Sequence, residues 1–378
     1  MLNDGSPLDK ELPIPTLNNP EPNDDAIYVS MSGNDNNNGS RDAPVATIAK
    51  AIEIANTGKI IILNGQYIIT NTLKVNKTLS IEGKGNVVIG GNSLRILENT
   101  ANLNLTNIKF TNAKSAFASA ILNEGNMTID TCSFYSNKAT GTSNGNIINN
   151  KANLTINNCD FYENIASRGA IASQSKSKLL INNSKFHNND MTSITTTYGI
   201  IYSNSADVVV VNTNFTDNKA KIGGAIYVTR ASSSTTGTLN VLNCIFKNNI
   251  ANIGNGGAIF TARTLTNIEN TTFINNTAIK SFNNVGGNGG AIYQSINDLT
   301  SIVTIKNSIF IGNAASNGAA FYVNAGKLNV SNSIILNKEN DNTYALNKSN
   351  EVNDSTITAN DNWWRSNSKA NTLIPVER

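Results

Sequence analysis

One phenylalanine recurs along this chain at intervals of 24 to 37 residues, and the residue types around it recur with it. Apolar residues dominate the positions seven and five before this anchor. Asparagine stands three before it in eight of nine repeats and three after it in seven. The anchors are Phe110, Phe134, Phe161, Phe186, Phe215, Phe246, Phe273 and Phe310, with Ile335 continuing the row. A pattern that returns nine times with a period of this size indicates a solenoid in which each repeat forms one coil.

The spacing within each repeat predicts short strands joined by a bend. Positions seven and five before the anchor share one strand face, as do position two before it and the anchor itself. The odd spacing between these pairs requires a corner, and the asparagine found there tolerates left-handed backbone dihedrals. A third strand follows the Gly-rich segments GGAIYV (223–228), GGAIFT (256–261) and GGAIYQ (289–294). The sequence therefore predicts an all-β parallel β-helix, a solenoid with about 11–12 coils of three strands each.

Asparagine is the most unusual component of the composition, with 68 among 378 residues. The coils of a parallel β-helix stack about 4.8 Å apart, so corresponding side chains lie directly above one another. Identical amides can then hydrogen-bond along the stack, as they do in cross-β ladders. We expect two asparagine rows, one at the corner three residues before the anchor and one three residues after it.

Both ends of an open solenoid expose unpaired strand edges and need covering. Residues 46–56 carry an amphipathic helical pattern, which we place across the N-terminal end. Trp363 and Trp364 form either a cap over the last coil, which we favour, or a stacking platform for sugars. The polar start of the chain and its end without an anchor sequence indicate a piece of a longer protein. The expected organisation is a disordered or linker segment at 1–25, the N-terminal cap and first coils at 26–100, the repeat coils at 101–345, and a C-terminal cap and tail at 346–378.

The composition excludes several classes of protein. Charged residues make up 15% of the chain and the net charge is +3, too little for a nucleic-acid or membrane-surface footprint. His187 is the only histidine and the three cysteines are scattered, so we expect no metal and no cofactor. No run of apolar residues is long enough to span a membrane. We expect a monomer with free, buried thiols at Cys132, Cys159 and Cys244 rather than a Cys132–Cys159 disulfide between adjacent coils.

The acidic residues of the coils bear on whether the protein is an enzyme. Glycosidases need two carboxylates at a defined separation, and lyases of this fold need acidic calcium ligands beside a basic group. Glu163 and Asp217 share a row but lie two coils apart. The acids of the coil region include Asp130, Asp160, Glu163, Asp190, Asp207, Asp217, Glu269 and Asp298. We predict a non-catalytic protein, with a polysaccharide lyase or glycoside hydrolase as the alternative, because the fold alone does not separate the two.

A binding surface is predicted where aromatic residues follow the Gly-rich segments in five successive coils. This row consists of Tyr202, Tyr227, Phe260, Tyr293 and Tyr322. If the row faces out, it suits sugars or a protein partner, and if it faces in, it is a core stack. Alternation along the strand leaves both orientations open. Arg230 and Arg263 share a neighbouring row and are either exposed loop residues or a contact point for an acidic glycan.

The repeat itself carries a family resemblance. The pattern of Cys or Ser, any residue, Phe, two residues and Asn, followed by GGAI, resembles the repeats of the chlamydial polymorphic outer-membrane proteins. The segment YVSMSGNDNNNGS (28–40), the Asn-rich repeats and NWW (362–364) resemble the Asn/Thr-rich adhesin-like surface proteins of methanogenic archaea. The resemblance implies a right-handed, pectin-lyase-like β-helix at the cell surface or outside the cell. With the candidate aromatic and arginine surface, we expect a glycan or a cell-surface protein as partner.

Overall fold

The computed structural model describes residues 25–56, 58–142, 144–192, 198–230, 237–281, 287–295, 301–336, 344–349 and 355–364. All but the last residue of the predicted linker at 1–25 lies outside these ranges, as does most of the predicted C-terminal tail. The described residues form strands that wind through three long parallel sheets, with 13, 12 and 11 strands. Every ladder pairs one coil with the next, so the predicted parallel β-helix is confirmed.

The sheets are named here A, B and C, in the order in which the chain crosses them in each coil. Sheet A contains Ile27–Val29, Gly58–Ile62, Leu79–Gly83, Leu103–Thr106, Met127–Asp130, Asn153–Asn157, Lys178–Asn182, Asp207–Val211, Thr238–Leu242, Leu265–Glu269, Ile302–Lys306, Lys327–Ser331 and Thr356–Asn360. Sheet B contains Gly65–Ile68, Val87–Gly90, Lys109–Thr111, Ser133–Tyr135, Asp160–Tyr162, Lys185–His187, Asn214–Thr216, Ile245–Lys247, Thr272–Ile274, Ile309–Ile311, Ile334–Leu336 and Trp363–Trp364.

Sheet C completes each coil, and very short strands bridge some coils between sheets B and C. Sheet C contains Leu73–Val75, Leu97–Asn99, Ile121–Asn123, Ile148–Asn150, Ile171–Ser173, Ile201–Asn204, Ile226–Thr229, Ile259–Ala262, Ile292–Ser295, Phe321–Val323 and Leu346–Lys348. The bridging strands are Lys114–Ser115 with Lys138–Ala139, and Lys219–Ala220 with Ile250–Ala251 and Thr277–Ala278.

The phenylalanine anchors form one continuous stack inside the coil. The register of sheet B places Phe110, Phe134 and Phe161 directly opposite one another, and the later anchors follow in the same row. All eight rings are fully buried, and neighbouring ring centroids lie 4.6–5.0 Å apart. Each ring also removes its whole surface from water, so this row is a main source of the stability of the fold.

The predicted corner between sheets A and B is confirmed. All nine residues three positions before the anchor have left-handed backbone dihedrals, with φ between 47° and 55°. A second left-handed corner, which the sequence analysis did not identify, lies two residues after the anchor. It is formed by Asn112, Ser136, Glu163, Asn188, Asp217, Asn248, Asn275 and Gly312. Asparagine, aspartate and glycine adopt this conformation at low cost, which explains why these residue types recur there.

Thr131 is the only β-branched residue among the nine predicted corner residues between sheets A and B, and its φ is 54°. A β-branched side chain is strained in the left-handed region. We expect Thr131→Asn to raise the free energy of unfolding by about 0.5–1 kcal/mol, measured by chemical denaturation. The control is Thr155→Asn within the strand Asn153–Asn157, where threonine is favoured and the same change should lower stability. Equal changes in the free energy of unfolding of the two variants would show that the corner is unstrained.

The predicted asparagine ladder three residues after the anchor is present and buried. Its seven members are Asn137, Asn164, Asn189, Asn218, Asn249, Asn276 and Asn313, each at most 2% exposed. Every Nδ2 except the last donates to Oδ1 of the next coil over 2.9–3.1 Å. The ladder satisfies buried amides that would otherwise cost stability. A second internal ladder, Asn99 to Asn123 to Asn150 to Ser173 in sheet C, was not predicted.

The helix at the N-terminal end spans Ile48–Ile54, two residues shorter at each side than the predicted 46–56. Thr47 is its N-cap and accepts a hydrogen bond from the Lys50 backbone, as expected for a threonine in this position. Ile48, Ala51 and Ile52 are buried in the main hydrophobic core. The helix packs against the first strands of sheets A and C and so covers the first coil.

The tryptophans at the other end form the last described strand of sheet B. Trp364 pairs with Ile335 and packs, half buried, on the core, so it continues the phenylalanine row. Asp361 has the left-handed φ of the repeat corner, which makes this segment a tenth copy of the repeat. Trp363 points to the opposite face and is 60% exposed. The favoured cap interpretation thus describes Trp364, whereas Trp363 presents an open ring to solvent.

Candidate functional site

The predicted aromatic row lies on the outer face of sheet C. Register pairs join Tyr202 to Tyr227, Phe260, Tyr293 and Tyr322 in consecutive coils. The residues before them, from Ile201 to Phe321, belong to the hydrophobic core, and Val228 and Val323 after them belong to it as well. The aromatic side chains therefore point away from the lumen.

The GGAI motif explains how the chain enters this strand. Gly256 has φ of +71°, and a Cβ there would lie 2.4 Å from the carbonyl oxygen of Ile259. A Cβ on Gly257 would lie 2.0 Å from the carbonyl oxygen of Gly290 in the next coil. The first glycine thus permits a left-handed turn and the second permits close stacking of coils. Together they fix the start of the strand, and with it the face on which the aromatic ring emerges.

The rings of this row stack on one another. Neighbouring centroids are 4.7–5.6 Å apart and the planes are inclined by 6–21°. Tyr202, Phe260 and Tyr293 are only 5–9% exposed, whereas Tyr227 and Tyr322 are half buried. Because the faces of the inner rings contact each other, a ligand at this surface would meet ring edges and hydroxyl groups rather than ring faces.

Burial controls the ionisation of these phenols. It raises the pKa of Tyr202 and Tyr227, and it raises the pKa of Tyr293 to about 12. The charged form of a phenol is disfavoured where water is excluded. The row therefore offers neutral hydroxyl groups at physiological pH, which can donate or accept hydrogen bonds.

Arg230 and Arg263 directly follow two neighbouring strands of sheet C, Ile226–Thr229 and Ile259–Ala262. The register pairs Val228 with Thr261, two residues before each arginine. Both side chains are half buried. Arg263 has a left-handed φ of 55°, which marks the turn that leaves the sheet. Two adjacent cations remain the predicted contact for an acidic group.

One end of the aromatic row carries two residues that the sequence analysis missed. The Tyr198 ring lies 4.5 Å from the Tyr227 ring, centroid to centroid. The guanidinium carbon of Arg168 lies 5.1 Å from the Tyr202 ring and 5.9 Å from the Tyr198 ring. Cations within about 6 Å of a ring face are attracted to it. The available signal was that both residues directly precede a glycine of the Gly-rich row, Gly169 and Gly199.

The three cysteines are free and buried, as expected from their place in the inward row two before the anchor. Burial raises the pKa of Cys132, that of Cys159 to about 12 and that of Cys244 to about 11. A thiol is a nucleophile only as the thiolate, so these groups are inert packing residues near neutral pH.

Five of the described carboxylates that the sequence analysis considered lie close to a polar partner. Asp160 Oδ1 lies 3.0 Å from His187 Nε2. The other pairs are Asn158 to Asp130, Thr192 to Asp190, Thr238 to Asp207 and Asn248 to Asp217. Asp298 lies outside the described residues. Within the described ranges no three His, Cys, Asp or Glu residues are grouped as metal ligands would be. No helix in the same ranges is long and apolar enough to cross a membrane.

Comparison with known families settles the handedness of the coil. A family model described as a right-handed β-helix region matches residues 96–278, and the repeat of the Chlamydia polymorphic membrane protein matches residues 270–295. The chain is a right-handed parallel β-helix. This confirms the fold of the predicted resemblance and its chlamydial repeat, whereas the likeness to archaeal adhesin-like proteins stays a prediction. No curated protein sequence matches the chain.

Three solved structures are similar to this chain to different degrees. The catalytic domain of a GH87 α-1,3-glucanase is 12% identical, covers 92% of this chain and 70% of its own, and has a TM-score of 0.50. The GH136 lacto-N-biosidase from Eubacterium ramulus is 10% identical, covers 90% and 68%, and has a TM-score of 0.48. A rhamnogalacturonan lyase is 12% identical, covers 90% and 86%, and has a TM-score of 0.32. At 12% identity the likeness to the glucanase domain bears on the fold alone.

Proposed function

We propose that this β-helix is a non-catalytic, adhesin-like protein that displays its outer face at a cell surface and binds glycans there. The observation that carries the proposal is the use of the coil carboxylates. A hydrolase needs two carboxylates that flank one sugar linkage. Here Asp130, Asp190, Asp207 and Asp217 each accept a hydrogen bond from a nearby donor of the chain. These hydrogen bonds support a structural use of the four carboxylates.

The outer face of sheet C supports a binding role. Its aromatic row crosses five coils in register, so hydroxyl groups and ring edges repeat along a straight line. Arg230 and Arg263 add positive charge beside this row. The match to the chlamydial membrane-protein repeat supports a place at the cell surface. A linear polymer of sugars is a ligand that suits a surface with one repeating direction.

The proposal predicts glycan binding without turnover. The purified chain is applied to a glycan array, and separately incubated with acidic and neutral polysaccharides while reducing ends and unsaturated uronates are measured. We expect retention on acidic glycans and no new ends. Formation of product would overturn the non-catalytic assignment in favour of the lyase or hydrolase. Retention of cell-surface proteins but of no glycan would instead identify a protein partner.

The arginine pair gives a mutational test of the same surface. We expect Arg230→Ala/Arg263→Ala to weaken binding to acidic glycans at least tenfold, about 1.4 kcal/mol, because charge-assisted hydrogen bonds are lost. The matched control is Lys185→Ala/Lys247→Ala, which removes two exposed charges from the outer face of sheet B. Equal weakening in both variants would mean that the effect is only one of net charge.

A further inference from the structure

A pocket of about 470 Å³ lies on sheet C at the Arg168 end of the aromatic row. Its lining comprises five amide side chains, one hydroxyl, one aromatic ring and two cations, and it contains no carboxylate. The residues that matter here are Phe117, Asn149, Lys151, Arg168, Gln174 and Asn204. The volume is in the range that proteins use for small ligands or single sugar units.

Asn149 is the unusual member of this lining. It is 0% exposed, and neither its Oδ1 nor its Nδ2 has a hydrogen-bond partner. Its neighbours in the same row are the apolar Leu122 and Ala172, so no amide ladder can form. A buried amide without partners costs stability that an apolar residue of similar size would not. The position therefore makes sense if a group from outside the chain completes its hydrogen bonds.

The two charged residues that line the pocket, Lys151 and Arg168, are both cations, and they differ in whether a carboxylate pairs with them. Arg168 forms no ion pair with any carboxylate in the described part of the chain, and its buried Nε has no hydrogen-bond partner. Its guanidinium is held over the Tyr202 ring, which orients it without neutralising it. Lys151 lies 2.7 Å from Glu124 and 5.9 Å from the Phe117 ring centroid. Arg168 is thus the cation available to an anionic ligand.

We infer that this pocket binds one carboxylated sugar unit of a glycan chain. The inference rests on the proposed glycan binding and assigns the site and ligand class for it. Amide groups both donate to and accept from sugar hydroxyls, as the Asn149 side chain can do. The Phe117 ring offers an apolar surface to a sugar ring. The planar guanidinium of Arg168 matches a carboxylate in a two-hydrogen-bond geometry.

The test is isothermal titration of the purified chain with matched oligosaccharides. The probes are tetragalacturonate, a glucuronate-containing tetrasaccharide and sialyllactose, each also offered after reduction of its carboxylate to an alcohol. We expect at least one carboxylated probe to bind at least tenfold more tightly than its reduced form. Equal affinities for every pair, or binding of no carboxylated probe, would overturn the inference.

Variants then locate the binding. Arg168→Ala is expected to weaken the affinity for the probe at least tenfold. Arg168→Lys should retain only part of the wild-type affinity, because lysine keeps the positive charge but lacks the two parallel N–H groups of the guanidinium. Lys247→Ala, on the outer face of sheet B, is the control and should leave the affinity unchanged. An unchanged affinity in Arg168→Ala would overturn the assignment.

Asn149→Leu separates a ligand-binding role from a structural one. A structural asparagine would lose stability on this change. Here we expect the Tm to stay the same or rise, while probe binding falls at least tenfold, since the amide lacks partners in the free protein. A lowered Tm, or unchanged binding, would overturn the inference. If the array shows glycan binding that neither variant alters, the proposed function stands and only this site is wrong.

Discussion

Phe215→Ala is expected to lower the free energy of unfolding by roughly 3–5 kcal/mol, one of the largest effects of any single substitution in this chain. The ring is fully buried, and its centroid lies 5.0 Å from that of Phe186 and 4.9 Å from that of Phe246. Alanine would leave a cavity between two rings whose positions are fixed by backbone pairing, so the coil cannot collapse to fill it. Chemical denaturation, followed by circular dichroism, measures the change.

Two controls separate packing from aromatic content. Phe215→Leu should cost only about 1–1.5 kcal/mol, because the same row already accepts Ile335. Tyr135→Ala removes a half-buried ring from the outer face of sheet B and should cost about 1 kcal/mol or less. The central role given to the phenylalanine stack would be wrong if Phe215→Ala proved no more harmful than Tyr135→Ala.

Asn218→Ala is the second large effect, with an expected loss of roughly 2–5 kcal/mol. The Asn218 Nδ2 donates to the Phe186 carbonyl over 2.8 Å and to Asn249 Oδ1 over 3.0 Å. Its Oδ1 accepts from the backbone and the side chain of Asn189. Alanine removes four hydrogen bonds and leaves buried partners unsatisfied, including the backbone N–H of Asn189.

The control for this ladder is a second asparagine ladder that lies on the solvent-exposed surface. Asn126 exchanges hydrogen bonds with Asn102 and Asn153, but it is exposed, so water replaces the lost partners in Asn126→Ala. That variant should lose about 1 kcal/mol or less under the same denaturation assay. Similar losses at both positions would mean that burial adds nothing to the Asn218 ladder.

Most of the fold was predictable from the sequence, because each position of the repeat occurs nine times and its preferred residue type is therefore clear. The inward rows, the left-handed corner at Asn107 and its equivalents, and the buried ladder ending at Asn313 are all confirmed. The second corner was missed because its residues vary in identity, as Glu163 and Gly312 do, although all of them have a positive φ. The tenth repeat was missed because Trp364 stands where phenylalanine was sought.

The binding surface was less predictable for a physical reason. Both faces of sheet C are largely buried, so burial patterns could not tell which face the aromatic row occupies. Gln294, which directly follows Tyr293, is a polar residue on the inner face, where its Nε2 donates to the Ser301 carbonyl over 3.0 Å. The pocket was not predicted because Asn149, Arg168 and Phe117 come from three coils and differ in residue type from their counterparts in other coils.

The strict register of the three sheets has a consequence for how such molecules change in length. An insertion within a strand would move the following side chains out of their rows, whereas the gain or loss of one complete coil leaves all rows aligned. The intervals of 24 to 37 residues between anchors show that extra residues are accommodated at turns without disturbing the rungs. Unequal recombination between the gene segments that encode repeats would therefore extend or shorten the protein in steps of about 4.8 Å and retain both ends.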